Sequence, residues 1–95
     1  MEDDMEIFEK YKSIKEIADL IYDINKLREY YYSKQYDKMH QHINNLTYKY
    51  FHETIQWNSV NQTMPVNEDQ SYCNAEQFLR AKGINILLKS GISLQ

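Results

Sequence analysis

The sequence predicts an all-α fold: a small helical bundle built from a long antiparallel helical hairpin and a third, C-terminal helix after a polar loop. Three observations predict it. Apolar residues recur at spacings of three and four from Ile7 to Tyr31, and again from Tyr36 to Trp57. Neither Gly nor Pro interrupts the first 60 residues. A short polar step at Tyr32-Ser33-Lys34 separates the two stretches. Spacings of three and four keep side chains on one face of a helix, whereas a strand alternates every second residue.

The first helix is expected to carry Ile7, Tyr11, Ile14, Ile17, Ala18, Ile21, Ile24, Leu27 and Tyr31 inward as one unbroken element of roughly 28 residues, ~42 Å long at 1.5 Å per residue. Asp3 and Glu6 have the spacing of a capping box, and the surrounding acids suit the positive end of the helix dipole. Glu6–Lys10, Lys12–Glu16 and Lys15–Asp19 are four apart and fit an exposed charged face. Phe8, Leu20 and Tyr22 widen the apolar stripe, so this helix is expected to meet more than one neighbour. Ser33 is the expected N-cap of a second helix from Lys34 to Trp57, with Tyr36, Met39, Ile43, Leu46, Tyr50 and Trp57 on one side. A connection this short sends the second helix back along the first.

Residues 58–72, NSVNQTMPVNEDQSY, read as a polar connector. A third helix is expected from about Asn74, where Asn74 and Gln77 repeat the capping spacing. Gly83 weakens that helix, and the expectation is a bend there, with a short strand over residues 84–88 as the competing reading. Gly91 followed by Ile92 reads as a glycine stop that folds Ile92 back onto Leu87.

Totals narrow the function. Ninety-five residues are expected to form one helical domain, 1–95. Such a chain buries only ~60–65% of its unfolded surface, so contacts with a partner matter. At 42% hydrophobic and 26% charged residues the chain is expected to fold rather than stay disordered. No apolar run approaches the ~18 residues of a membrane span. The opening MEDDMEIFEK lacks a signal-peptide pattern, and the expected location is the cytoplasm. A net charge of −3 argues against a dedicated nucleic-acid binder.

Chemistry finds little support. HETIQ, His52 to Gln56, lacks the second histidine that would let a zinc-protease helix hold its metal. His40 and His42 point about 200° apart on a helix, and His52 lies ~15 Å beyond. No nucleophile elbow or glycine-rich phosphate loop occurs. Cys73 is the only cysteine and is expected to be a small, partly buried apolar residue. No enzyme, metal or cofactor is therefore expected.

Six of the nine tyrosines and all three histidines fall between Arg28 and Glu53. Heavy use of Ile, Lys, Asn and Tyr, with nine Lys against two Arg, follows AT-rich codons and accounts for part of that number. Even so, tyrosine on several faces supplies the amphipathic area that protein interfaces use. The expectation is a non-enzymatic protein-protein interaction module, often self-associating, that binds a larger protein. An accessory or inhibitory protein of a virus, phage or mobile element fits that description. Candidate partner-binding residues are Glu2, Asp3, Asp4, Glu6 and Glu9, which could compete for a basic groove, with Tyr30, Tyr32 and Tyr48. One alternative is a nucleic-acid-associated protein using Lys34, Lys38 and Lys49 with Tyr32, Tyr48 and His42. Another is a small metal or hydrolytic protein whose site forms across a dimer.

Overall fold

The computed structural model describes residues 4–51 and 67–93. Among these the secondary structure is four helices and no strand: α1 (Asp4–Lys10), α2 (Lys15–Tyr32), α3 (Tyr36–Phe51) and α4 (Glu68–Lys89). The chain is a small all-α bundle with α2 at its centre, packed against each of the other three helices.

The buried face of α2 is the one its periodicity predicts: Ile17, Leu20, Ile21, Ile24 and Leu27. Met39, Ile43 and Leu46 of α3 and Ala75, Leu79, Ile86 and Leu87 of α4 complete the same core. Each fully buried aliphatic or aromatic side chain contributes about 1.5–3 kcal/mol. Helix α3 returns along α2: Tyr30 meets His42 near the turn, and Asp23 meets Lys49 and Tyr50 further from it.

The expected single first helix is in fact two. The chain breaks at Tyr11–Ile14, where Tyr11, Lys12 and Ile14 donate backbone bonds to Phe8, Glu9 and Tyr11 in i→i−3 turns. The cause is Phe8. It is fully buried, and it reaches the core only because α1 folds back over α2 and α4. Lys12, placed in the turn, pairs with Glu9 at 3.6 Å rather than with Glu16. Ala18, expected inside, is exposed, because the buried face of α2 is centred towards Leu20, Ile24 and Leu27 and leaves Ala18 off its edge.

Ser33 caps the end of α2 instead of the start of α3. Its hydroxyl donates to Glu29 O at 2.6 Å. Lys34 N bonds Tyr31 O at 3.1 Å and Gln35 N bonds Tyr30 O at 2.9 Å, the paired closure of a Schellman turn. Lys34 sits at φ 62°, in the left-handed position that glycine usually fills.

Helix α4 starts seven residues before the expected Asn74, at Asn67. The Asn67 side chain caps it, accepting from Asp69 N at 2.9 Å and Gln70 N at 3.2 Å. Asn74 lies within the helix and accepts from Gln70 Nε2 at 2.9 Å. Residues 67–72 therefore belong to the helix and its cap, not to the connector. The helix runs through Gly83 without interruption. The end at Gly91 matches the expected glycine stop: Gly91 has φ 84°, Ile92 N bonds Leu87 O at 3.1 Å, and Ile92 packs on the core. Ile55 and Trp57, expected on the second helix, lie outside the described residues. No helix among the described residues is long and apolar enough to cross a membrane.

Candidate binding surface

Polar groups buried between helices are consumed in holding them. Asp23 is almost fully buried on α2. Its Oδ2 accepts from Lys49 Nζ at 2.8 Å and from the Tyr50 hydroxyl at 2.7 Å. Its backbone carbonyl lies 3.1 Å from His42 Nε2, so that nitrogen carries the proton. Burial, reinforced by the bond to Asp23, raises the Tyr50 phenol well above the ordinary tyrosine range. On the other side of α2, Glu76 of α4 accepts from Arg28 Nε at 2.5 Å, Arg80 Nη2 at 3.3 Å and the Tyr72 hydroxyl at 2.9 Å. Both arginines of the chain thus converge on one carboxylate, which fixes α4 against α2. Burial first, then the bond to Glu76, pushes the Tyr72 phenol upward.

A different arrangement stands at the end of the bundle where α2 stops and α4 begins. Tyr31 and Tyr72 stack with ring centroids 4.1 Å apart and planes 6° from parallel. Tyr32 meets both rings edge-on, at 5.1 Å and 6.0 Å. Tyr36, at the start of α3, lies 6.5 Å from Tyr31. The Tyr31 hydroxyl donates to Asp69 Oδ1 in the first turn of α4. That bond, with desolvation, raises the Tyr31 phenol to about 12. Tyr32 is 72% exposed while its two aromatic neighbours are held in place. Beside them a shallow hollow of about 360 Å³ is lined, among the described residues, by Lys34, Gln35, Tyr36, Asp37 and Lys38. The result is an aromatic cluster in which Tyr32 is the most exposed ring, next to a hollow lined by two lysines and an aspartate.

The residues singled out from sequence scatter over the molecule. Tyr32 belongs to the platform. Tyr30 is half-buried against the core, edge-on to His42 at 5.7 Å, with Lys26 Nζ 5.7 Å above its ring. Tyr48 is exposed on α3, twelve residues beyond Tyr36 and thus ~18 Å along the helix. Asp4, Glu6 and Glu9 lie on α1, which packs near Leu20 and Gly83 rather than near Tyr32. Glu2 and Asp3 lie outside the described residues. Of the proposed lysine–tyrosine face, Lys49 and His42 are engaged by Asp23, whereas Lys34 and Lys38 border the hollow. Tyr72 and Asp69 were not singled out, and Tyr31 and Tyr36 read only as inward-facing, because it takes the packing of both α3 and α4 on α2 to unite them.

Cys73 is exposed, contrary to expectation, because it lies on the α4 face opposite Ala75 and Leu79. Among the described residues no group of three or more His, Cys, Asp or Glu could hold a metal ion. His52 and the HETIQ stretch lie outside them. Comparison with protein-family models, curated proteins and solved structures finds no match.

Proposed function

We propose that the chain is a non-enzymatic protein-binding module that presents its tyrosine platform to a larger protein partner. The observation that carries this reading is the exposure of Tyr32 on the Tyr31–Tyr72 stack. A tyrosine has few rotatable bonds, and one already braced by neighbours loses little freedom on binding. Its ring supplies apolar area and its hydroxyl a directional bond, the combination found at interface hot spots. Lys34, Lys38 and Asp37 around the hollow suit a polar rim. The interior carboxylates, which could serve as acids or bases elsewhere, here hold helices together.

Such a module acts by occupying a surface rather than by turning over a substrate. That mode of action fits a small cytoplasmic accessory or inhibitory protein of a virus, phage or mobile element. The acids of α1 offer a second, electrostatic contact. A nucleic-acid partner is the competing reading, favoured by Lys34 and Lys38 lining one hollow with Tyr36. Single strands bind such faces through base stacking and phosphate contacts, and their affinity falls steeply with salt. Capture of partners from the native host by wild type and by Tyr32→Ala, at low and high salt, tests the proposal against this competitor.

A further inference from the structure

The break between α1 and α2 rests on no Gly or Pro and on no formed side-chain cap, although Ser13 and Glu16 stand at capping-box spacing. Tyr11, Lys12 and Ser13 include neither Gly nor Pro. Ile14 occupies the N-cap position of α2 with an extended backbone (φ −76°, ψ 119°) and supplies no side-chain bond. Aliphatic residues are among the poorest N-caps. Meanwhile the apolar register of Ile7, Tyr11, Ile14 and Ile21 continues straight through the break. The apolar register favours one helix from Asp4 to Tyr32; the folded chain has two.

Phe8 resolves the conflict. In a straight helix it would precede Ile24 by sixteen residues, roughly 160° around at ~100° per residue. It would then face away from the side of α2 that is buried. Folding back brings its ring to Gly83, where a Cβ would lie 2.5 Å from Phe8 Cζ and 2.5 Å from Leu20 Cδ2. Docking of Phe8 and straightening of the helix are thus alternatives. A seven-residue helix has no stability of its own, so α1 persists only while docked.

We propose that α1 is an exchange arm: it leaves its own bundle, fuses with α2 into one continuous helix, and seats Phe8 over Gly83 of a second copy, which returns the same contact. The occupant follows from identity. The notch at Gly83 and Leu20 already fits this Phe8, and a second copy carries the same side chain. The fused helix spans Asp4 to Tyr32 and is ~43 Å long, against ~27 Å for α2 alone, so the arm extends ~16 Å beyond its own bundle. It carries Phe8 on the side turned away from its own core, where another molecule can receive it. Reciprocal exchange closes on a two-fold axis and leaves no arm or notch unfilled. This inference rests on the docking of α1 and is independent of the tyrosine platform.

Light scattering after size exclusion, from micromolar to millimolar protein, measures the dimer. The expected result is a dimer fraction that rises with concentration, increases several-fold in Ser13→Ala and falls several-fold in Lys12→Gly combined with Ser13→Gly. Ala favours, and Gly disfavours, a continuous helix across the break. In a mixture of isotope-labelled and unlabelled chains, the dimer should show intermolecular proton contacts between the Phe8 ring and the Leu20 methyls. A chain that stays monomeric throughout, a dimer indifferent to the hinge variants, or Phe8–Leu20 contacts confined within one molecule would each overturn the proposal.

Discussion

The ring of Phe8 lies where a side chain on Gly83 would have to go. Two residues 75 positions apart are therefore fitted to each other, and both are surrounded by fully buried neighbours. In an exposed helix, Gly→Ala gains about 1 kcal/mol. Here the added methyl meets Phe8 Cζ and Leu20 Cδ2 at 2.5 Å, and both side chains are fully buried, so the core must shift to admit it. Overpacking costs about 1–3 kcal/mol. Net of the helix gain, Gly83→Ala should therefore destabilise the protein by up to about 2 kcal/mol, seen as a lower urea midpoint with an unchanged slope. Phe8→Leu in the same background should recover part of the loss, since the smaller side chain vacates the contested volume.

Lys34 offers the opposite case. It holds φ 62° at the end of α2, a conformation that costs an L-residue with a Cβ about 1–2 kcal/mol. Nothing in the turn requires its side chain, since the closing bonds are made by backbone groups of Lys34 and Gln35. Lys34→Gly removes the strain and gives back some of it through the freer unfolded chain. The expected net gain is about 0.5–1 kcal/mol, or roughly 3–6 °C in melting temperature for a domain of this size.

Asp23 anchors α3 to α2 through two side chains of unequal importance. Lys49 is half exposed, so Lys49→Met should cost about 1 kcal/mol or less. Tyr50→Phe removes one bond to a charged acceptor and should cost about 1.5 kcal/mol. Asp23→Ala strands both partners and should cost about 2–4 kcal/mol. Chemical denaturation of the single and double variants checks this order. Loss of Lys49 exceeding loss of Asp23 would show that the anchor has been misread.

Alkaline pH should weaken the fold. The Tyr31 phenol is raised from 10.0 to about 12 by its bond to Asp69, and Tyr50 and Tyr72 are raised in the same sense. A raised phenol means that the folded chain holds its proton more tightly than the unfolded chain. The resulting stability is fully present below pH 10 and is lost as pH rises from about 10 through about 12. Ultraviolet titration should show a step near pH 12 that belongs to Tyr31, while Tyr50 and Tyr72 keep their protons beyond it. Tyr31→Phe should remove that late step.

The core of α2 and the stop at Gly91 were legible because each depends on neighbours within a turn or two. The break at Tyr11–Ile14 was not, because its cause, Phe8 against Gly83, joins opposite ends of the chain. Gly83 read as a weak point of the last helix for the same reason. The start of α4 was readable in principle: Asn67 and Gln70 have capping spacing, and Glu68 and Asp69 suit a first turn. The same pattern at Asn74 and Gln77 drew the boundary too late. Of the candidate surface, Tyr32 emerged from sequence as a partner-binding residue, and Lys34 and Lys38 only within the nucleic-acid alternative. Tyr72 reaches it from α4 through the Tyr31 stack, and helical angles on α2 alone carry no trace of that.

Tyr32 is the exposed point of the proposed protein-binding platform. The measurement that tests it most directly is capture from the native host with wild type, Tyr32→Ala and Tyr22→Ala, the last a comparably exposed tyrosine ten residues back along α2. The expected result is a protein retained by wild type and Tyr22→Ala, resistant to salt and lost with Tyr32→Ala. Recovery of nucleic acid alone, released as salt rises, or a protein partner indifferent to Tyr32, would contradict it.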